Sequence, residues 1–428
     1  MKRKISVKNN YRYSFLILFS VIVIFFSFVF DKPLDILHGY FNILISPSNL
    51  LTDYMAVGGI GATFFNAGLL LLIAILILKY LDVILTGPIV AGLFIFFSFS
   101  FFGKNLFNTI PIVVGVYLYS KSQNVKFNNV ILYCLFGTAL SPVVSYICFG
   151  LDMSFKKGII ISYLVGIGIG LIIPPLAASF IRFHQGYTLY NVGFTCGVIG
   201  LFIQGVLHSF SLSIENVSIL SYENNLIIFS FMYVFLIIVL IIGYILNGKS
   251  LDKLEDLLKT SGRTPSDYLS IYGDGVAMIN MAFLGIFFTT FVLVVNQPLN
   301  GPVLGSLFTI VGFGAFGKHL KNVLPIVFGT LIAYIFNIYD MDNVSSLITI
   351  LFSTNLAPIA GEYGIFAGII AGFLHVSIVS NVGVLHGGFN LYNNGFAGGF
   401  VAAILVPIFD AIRTSRFFDK EDNFFFFF

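Results

Sequence analysis

Fourteen apolar runs divide the chain, at about residues 14–30, 62–80, 86–102, 105–119, 128–150, 158–181, 193–210, 225–246, 275–296, 301–316, 322–338, 343–360, 363–381 and 394–412. A run of about 20 apolar residues spans the hydrocarbon core of a bilayer, about 30 Å thick. The pattern predicts an all-α fold, a polytopic transmembrane helical bundle of 10–14 spans. Two pairs of runs, 86–102 with 105–119 and 301–316 with 322–338, are short and carry Gly or Pro. Such segments are expected to be broken or re-entrant helices.

The polar stretches between the runs sort them by side, because cytoplasmic loops collect Lys and Arg. Lys2, Arg3, Lys4, Lys8 and Arg12 precede the first run, Lys249, Lys253, Lys259 and Arg263 fall in the linker 247–266, and Arg413, Arg416 and Lys420 follow the last run. Residues 211–224 hold two Glu and no Lys or Arg. Both termini and the linker are therefore expected to be cytoplasmic and 211–224 external, with Lys156 and Lys157 as the exception. In the linker, Leu251, Leu254, Leu257 and Leu258 recur at helical spacing between Ser250 and Gly262. They predict a short amphipathic helix on the membrane surface, with Ser250 as N-cap. The basic flank before residue 14 resembles that of a signal peptide, but no small-residue cleavage site follows, so the first run is read as a retained span.

The chain also repeats itself. FFGKNLFNTIPIVVG (101–115) matches AFGKHLKNVLPIVFG (315–329) at an offset of 214, which also pairs Gly87-Pro88 with Gly301-Pro302, Asn66 with Asn280 and Asp53-Tyr54 with Asp267-Tyr268. FGTALSP (136–142) matches FSTNLAP (352–358), and HQGYTLYNVGFTCG (184–197) matches HGGFNLYNNGFAGG (386–399). The expected organisation is a tail (1–13), a first transmembrane repeat (14–224), a second (225–412) that includes the linker, and a tail (413–428). The charges start the first half inside and end it outside, so each half makes an odd number of crossings. The two must then have opposite orientation, an inverted-topology repeat with a pseudo-two-fold axis in the membrane plane.

Composition narrows the class further. With 58% hydrophobic and 10% charged residues and mean hydropathy +0.98, the chain lacks the charged surface of a water-soluble domain. This excludes a cytosolic enzyme, a nucleic-acid binder, a disordered chain and a disulfide scaffold. Fifty-one Phe and no Trp leave the 21 Tyr to form the interfacial aromatic belt. Cys134, Cys148 and Cys196 lie in apolar runs without metal spacing and read as buried small hydrophobes.

Three duplicated constellations could carry chemistry. The first, H-x-G-x-x-L-Y-N-x-G-F, places His184, Tyr190, Asn191 and Gly193 in one half and His386, Tyr392, Asn393 and Gly395 in the other. Glycines permit tight turns, and Asn amides and Tyr hydroxyls donate and accept, which suits an interrupted helix lining a polar cavity. An ordinary interfacial loop would read the same way. The second, F-G-K-x-L-x-N-x-x-P-I-V, places Lys104 and Asn108 opposite Lys318 and Asn322. It would present positive potential to an anionic or dipolar solute, unless the lysines merely snorkel to the interface. The third holds Asp53 and Asn66 in one copy and Asp267 and Asn280 in the other. Each Asp could cap a helix or couple a cation, and Glu362, between two apolar runs, is a further ion-coupling candidate. Gly166-x-x-x-Gly170 and Gly368-x-x-x-Gly372 predict close helix packing. No catalytic or nucleotide-binding motif is present.

The F-G-K…P-I-V and L-Y-N-x-G-F signatures, with the duplicated layout, resemble an uncharacterised family of bacterial multi-spanning membrane proteins with two internal repeats, a domain of unknown function. The resemblance covers about residues 12–415 and implies a bacterial plasma-membrane origin, with no activity to transfer. In plan alone the layout is similar to urea channels and other repeat transporters. The expected function is a transporter or channel for a small polar or anionic solute, with its site between the two halves. The alternatives are a membrane-embedded enzyme using the His184 and His386 loops, or a scaffold or sensor subunit. The expected partners are a small-molecule solute, the lipid bilayer and a further copy in a homo-oligomer, with no nucleic acid, cofactor or metal. The terminal NFFFFF run is given no role.

Overall fold

The computed structural model describes residues 2–48, 51–212, 218–223, 225–336 and 343–415. The tail from 416 on, with the NFFFFF run, and the middle of the 211–224 loop lie outside the described residues. Helices α1 (Lys2–Phe26), α2 (Pro33–Ile45), α3 (Tyr54–Gly58), α4 (Ile60–Tyr80), α5 (Gly87–Ser98), α6 (Leu106–Ser122), α7 (Ile131–Gly150), α8 (Phe155–Phe180) and α9 (Asn191–Ser209) come first. They are followed by α10 (Asn225–Leu246), α11 (Leu254–Leu258), α12 (Tyr268–Ile271), α13 (Asp274–Val294), α14 (Gly301–Phe313), α15 (Leu320–Phe336), α16 (Val344–Tyr363), α17 (Ile365–Val382) and α18 (Asn393–Thr414). The first residues of α3, α4, α5 and α6 each recur 214 positions later as those of α12, α13, α14 and α15. The sequence repeat is thus an element-by-element structural repeat. Among the described residues ten helices are long and apolar enough to cross a membrane, and α5, α14 and α15 are shorter apolar helices.

The same local chemistry starts the paired helices. Gly-Pro opens both α5 and α14, where proline's missing N–H costs nothing and its fixed φ suits the first turn. Gly59 (φ +88°) and Gly273 (φ +89°) turn the chain between α3 and α4 and between α12 and α13 in a left-handed conformation that a side chain would disfavour.

At the centre, α5 and α14 lie side by side and antiparallel. Gly87 packs on the Ala315 carbonyl at the end of α14, and Gly301 on the Phe101 carbonyl at the end of α5. The caps are reciprocal. Asp53 Oδ1 accepts from Gly301 N (3.1 Å) and Asp267 Oδ1 from Gly87 N (2.8 Å), each carboxylate closing a helix of the other repeat. This exchange is the signature of a two-fold axis perpendicular to the helices, so the repeats are inverted. Arg12, which donates to Leu85 O and Asp274, shares one end with the linker and with Arg413 beside Glu362. Asp53, Gly150 packed on Pro47, and Asn225 bound to Leu299 N mark the far end.

The short runs form short helices as expected, α5, α14 and α15 among the described residues. Asn105 at the start of α6 bonds Ile43 O at the far end, and Asn128 beyond its C-terminus bonds Leu81 O at the linker end, so α6 reaches from one end of the bundle to the other. One expectation needs correction. The linker helix spans only Leu254–Leu258 with Lys253 at its N-cap, because Ser250 Oγ instead accepts from Asp252 N in a turn. Leu254 and Leu257 are buried against Tyr268, Val276 and Ile279 of the protein and do not form a membrane-facing stripe, and Leu251 is exposed.

The close-packing glycines behave as read. Gly166 and Gly170 press α8 onto Pro111 and the Ile112 carbonyl of α6, and Gly368 and Gly372 press α17 onto Pro325 and the Ile326 carbonyl of α15. The phenylalanines fill the seam between the repeats, where Phe19, Phe64, Phe97, Phe101 and Phe308 meet edge to face or stacked. All three cysteines are buried and free.

Candidate functional site

The site begins with a flaw in two helices. α7 and α16 tighten into one 3₁₀ turn at Thr138–Leu140 and Thr354–Leu356, just before Pro142 and Pro358, whose rings carry no N–H to continue the ladder. Ser141 N then reaches back to Thr138 O and Ala357 N to Thr354 O, which leaves the next carbonyls for outside donors. Those donors come from the other repeat: Leu391 N bonds Ala139 O (3.2 Å) and Leu189 N bonds Asn355 O (3.0 Å). Segments 184–190 and 386–392 therefore enter the interior from the linker end and the far end. Helices α9 and α18 start inside, at Asn191 and Asn393. They cross where Gly395 lies so close to Gly193 that a Cβ would sit 3.0 Å from its Cα.

The F-G-K motif supplies the lysines from the other direction. Gly103 (φ +75°) and Gly317 (φ +95°) turn the chain after α5 and α14. Asn66 donates to Ser100 O and Lys104 O (2.7 and 3.0 Å), and Asn280 to Gly314 O and Lys318 O (2.7 and 2.8 Å). Asn108 and Asn322 bind the Gly103 and Gly317 carbonyls and accept from the N-cap residues Asn105 and His319. These four asparagines hold the backbone that carries the lysines.

At the pseudo-two-fold, the Tyr190 and Tyr392 rings lie 4.7 Å apart. Lys318 Nζ donates to Tyr190 OH and to Thr354 Oγ1, both at 2.7 Å, and lies 4.7 Å from the Tyr190 ring centroid. Lys104 Nζ sits 4.4 and 5.4 Å from the Phe96 and Phe99 rings, fully buried, without a hydrogen-bond partner among the described residues. Tyr392 OH also lacks a partner there. Each histidine faces the asparagine that follows in its motif: His184 Nε2 bonds Asn191 Oδ1 (2.9 Å), whose amide donates to Ala177 O (3.0 Å), and His386 lies against the Asn393 side chain. One half-site ties its lysine to a tyrosine and a threonine, and the other leaves Lys104 and Tyr392 OH without hydrogen bonds among the described residues.

The structure brings together Tyr190, Tyr392, Lys104 and Lys318, with Asn191, Asn393, His184 and His386 flanking the crossing glycines. It does not bring the acids there. Asp53 accepts from Met55, Gly301 and Ser221 N–H groups, and burial pushes its carboxyl up to about 6 against those three bonds. Asp267 accepts from Gly87 N, Ser270 N and Ser270 Oγ. Both Asp are helix caps. Glu362 lies at the linker end, 3.4 Å from Arg413.

Sequence reading passed over Thr354, Asn355 and Asn394. Thr354 binds Lys318, Asn355 Oδ1 accepts from Thr188, and Asn394 Oδ1 bonds His375. Thr354 and Asn355 fall in FSTNLAP, a run visible as a repeat, whose proline could have flagged the break. A cavity of about 270 Å³, lined by Ser345, Thr349, Phe352, Asn393 and Asn394, opens beside Asn393 toward the far end. Another of about 590 Å³, lined by Thr260, His319, Asn322 and Glu362, lies under the linker. Burial holds the His319 imidazole down at about 4, so it is neutral where its Nε2 meets Thr260 O.

A family model described as "Protein of unknown function (DUF1576)" matches residues 32–209 and again residues 230–411. No curated protein and no solved structure matches the chain.

Proposed function

We propose that this chain, which belongs to the DUF1576 family, is a membrane transporter or channel that moves a small anionic solute through the space between its two inverted repeats. The observation that carries the reading is Lys104: a buried amine with neither a carboxylate nor a hydrogen-bond acceptor among the described residues. Protonating it there costs several kcal/mol unless an anion arrives to compensate the charge. A solute carboxylate or similar small anion seated between Lys104 Nζ and Tyr392 OH would do so, with Asn393 and His386 supplying further polar contacts. The unlike half-sites support a single solute position served by a gate at each end. In this reading the far-end gate stands open and the Lys318–Tyr190–Thr354 bonds hold the linker-end gate shut.

Sidedness follows from charge. Arg12, Lys79, Lys121, Lys126, Arg182, Arg263, Lys321 and Arg413 cluster with the linker lysines at one end, against Lys32, Lys156 and Lys157 at the other. The linker end, with both termini, is then cytoplasmic, in the plasma membrane of a bacterium.

The test is uptake by proteoliposomes against a panel of small carboxylates, inorganic anions and neutral polar solutes. At least one anion should be taken up, with Lys104→Gln and Asn393→Ala each reducing the rate by about tenfold or more, the loss of one charge-assisted contact. Uptake of neutral solutes alone, or anion uptake indifferent to both substitutions, overturns the assignment.

A further inference from the structure

The seam between α1 and α10 is filled at one half and hollow at the other. The helices touch through Phe19 against Phe235 (4.5 Å between centroids) and Phe26 against Phe231 (4.3 Å). Toward the far end, Phe30 and Phe64 continue the packing. Toward the linker end the helices part, leaving a cleft of about 920 Å³ walled by Leu16 and Val239 and floored by Val90, Phe94 and Met281. Among the described residues, charge enters it only at the rim, from Arg12 and Asp274. Arg12 Nε donates to Asp274 Oδ1 (2.7 Å) and its Nη1 to Leu85 O. Two of its five N–H groups are thus used to fix the guanidinium plane, and the rest remain for another acceptor.

We infer that this cleft is a binding site for one membrane glycerophospholipid, with an acyl chain lying along the apolar floor and the phosphate on Arg12. The walls offer water no hydrogen bonds, and an apolar hollow of this size opening between two lipid-facing helices takes hydrocarbon instead. The rim places a cation, anchored by its own carboxylate and still carrying free donors, at the end of the hollow, where a chain's headgroup would lie. The bound chain would contact Phe94, which packs against Gly312 and Phe308 of α14, so the lipid would wedge the two repeats at their central helix pair. The inference does not depend on the transport reading.

Native mass spectrometry of the full-length protein in a mild detergent tests it. Delipidated protein would be titrated with palmitoyl-oleoyl phosphatidylglycerol and with dioleoylglycerol, which lacks the phosphate. The phospholipid should bind as a single adduct about tenfold or more tighter, a difference of about 1.4 kcal/mol. Arg12→Gln should erase that preference. Val90→Phe, which fills the floor, should displace both lipids while leaving the unfolding temperature at or above wild type. Equal binding of the two lipids overturns the phosphate assignment. An adduct indifferent to Val90→Phe overturns the cleft, as does a dimer that forms in place of the adduct, which would show a second copy covering it.

Discussion

Lys104 and Lys318 occupy identical places in the F-G-K repeats, yet they have opposite consequences for stability. Replacing Lys318 with Met should lower stability by about 1–3 kcal/mol, because Tyr190 OH and Thr354 Oγ1 both lose the amine that donates to them. Replacing Lys104 with Met should raise it by a similar amount, about 1–3 kcal/mol, by removing a buried amine that no acceptor satisfies. Thermal unfolding in detergent reads both, and a destabilised Lys104→Met would mean the amine has a partner after all. Sequence reading could find both lysines from their motif but could not separate them, since the difference lies in whether a tyrosine of the other repeat points its hydroxyl at the amine. A second asymmetry sits at the cap of the following helix, Asn105 in one repeat and His319 in the other. His319 has a folded-state value of about 4, below the unfolded value of about 6.5. Its contribution is therefore complete above pH 6.5 and is lost as pH falls through 4, by up to about 3 kcal/mol. Asp53, raised to about 6, acts in the opposite sense and loses stability as pH rises between about 4 and 6. The difference between wild type and His319→Asn isolates the histidine, and this difference should shrink steadily from pH 7 to pH 4. A constant difference would show that the imidazole takes up its proton in the native state as readily as in the unfolded chain.

At the scale of elements, the helices were legible because their ends are written locally: Gly-Pro at the start of α5 and α14, and Asp or Asn at caps. The interruptions were harder to read. The short apolar runs of α5 and α14 form helices of twelve and thirteen residues, because the buried central pair need only reach from Asp267 to Asp53. The real interruptions lie in runs of full length, α7 and α16, and in the extended segments that precede α9 and α18. A 3₁₀ turn changes one hydrogen bond and leaves hydropathy untouched, so no hydrophobic pattern reveals it. The Tyr-Asn-x-Gly loops were legible as sites for the opposite reason: only glycine lets α9 and α18 approach at Gly193 and Gly395. Gly395→Ala should therefore cost about 1–3 kcal/mol through contact with Gly193 backbone. Gly205→Ala, in the same kind of helix but with open space at its Cβ, should be neutral or stabilising by up to about 1 kcal/mol. Equal effects of the two in a thermal melt would show that α9 and α18 do not touch there.

At the scale of the molecule, the inversion follows from two arguments that share no premise. One counts basic residues by loop. The other is geometric: Asp53 caps Gly301 while Asp267 caps Gly87, an exchange that only a two-fold axis across the helices can produce. The repeat alone could not reveal these caps, because a sequence offset pairs equivalent residues, whereas the contacts join non-equivalent residues of opposite halves. Geometry also bears on the one discordant pair of charges. Lys156 and Lys157 follow Gly150, which packs on Pro47 beside the Asp53 end, so they belong with the far end despite their sign. Two positive charges there are outweighed by the linker, both termini and the adjoining loops, and orientation responds to the sum. Single cysteines at Lys156 and Lys253, both exposed positions, test the arrangement against the low background of three buried native thiols. In right-side-out vesicles a membrane-impermeant maleimide should label Lys156→Cys directly and Lys253→Cys only after permeabilisation. Labelling of both before permeabilisation would put the linker and the far end on one side, and the inverted pair of repeats could not span the membrane between them.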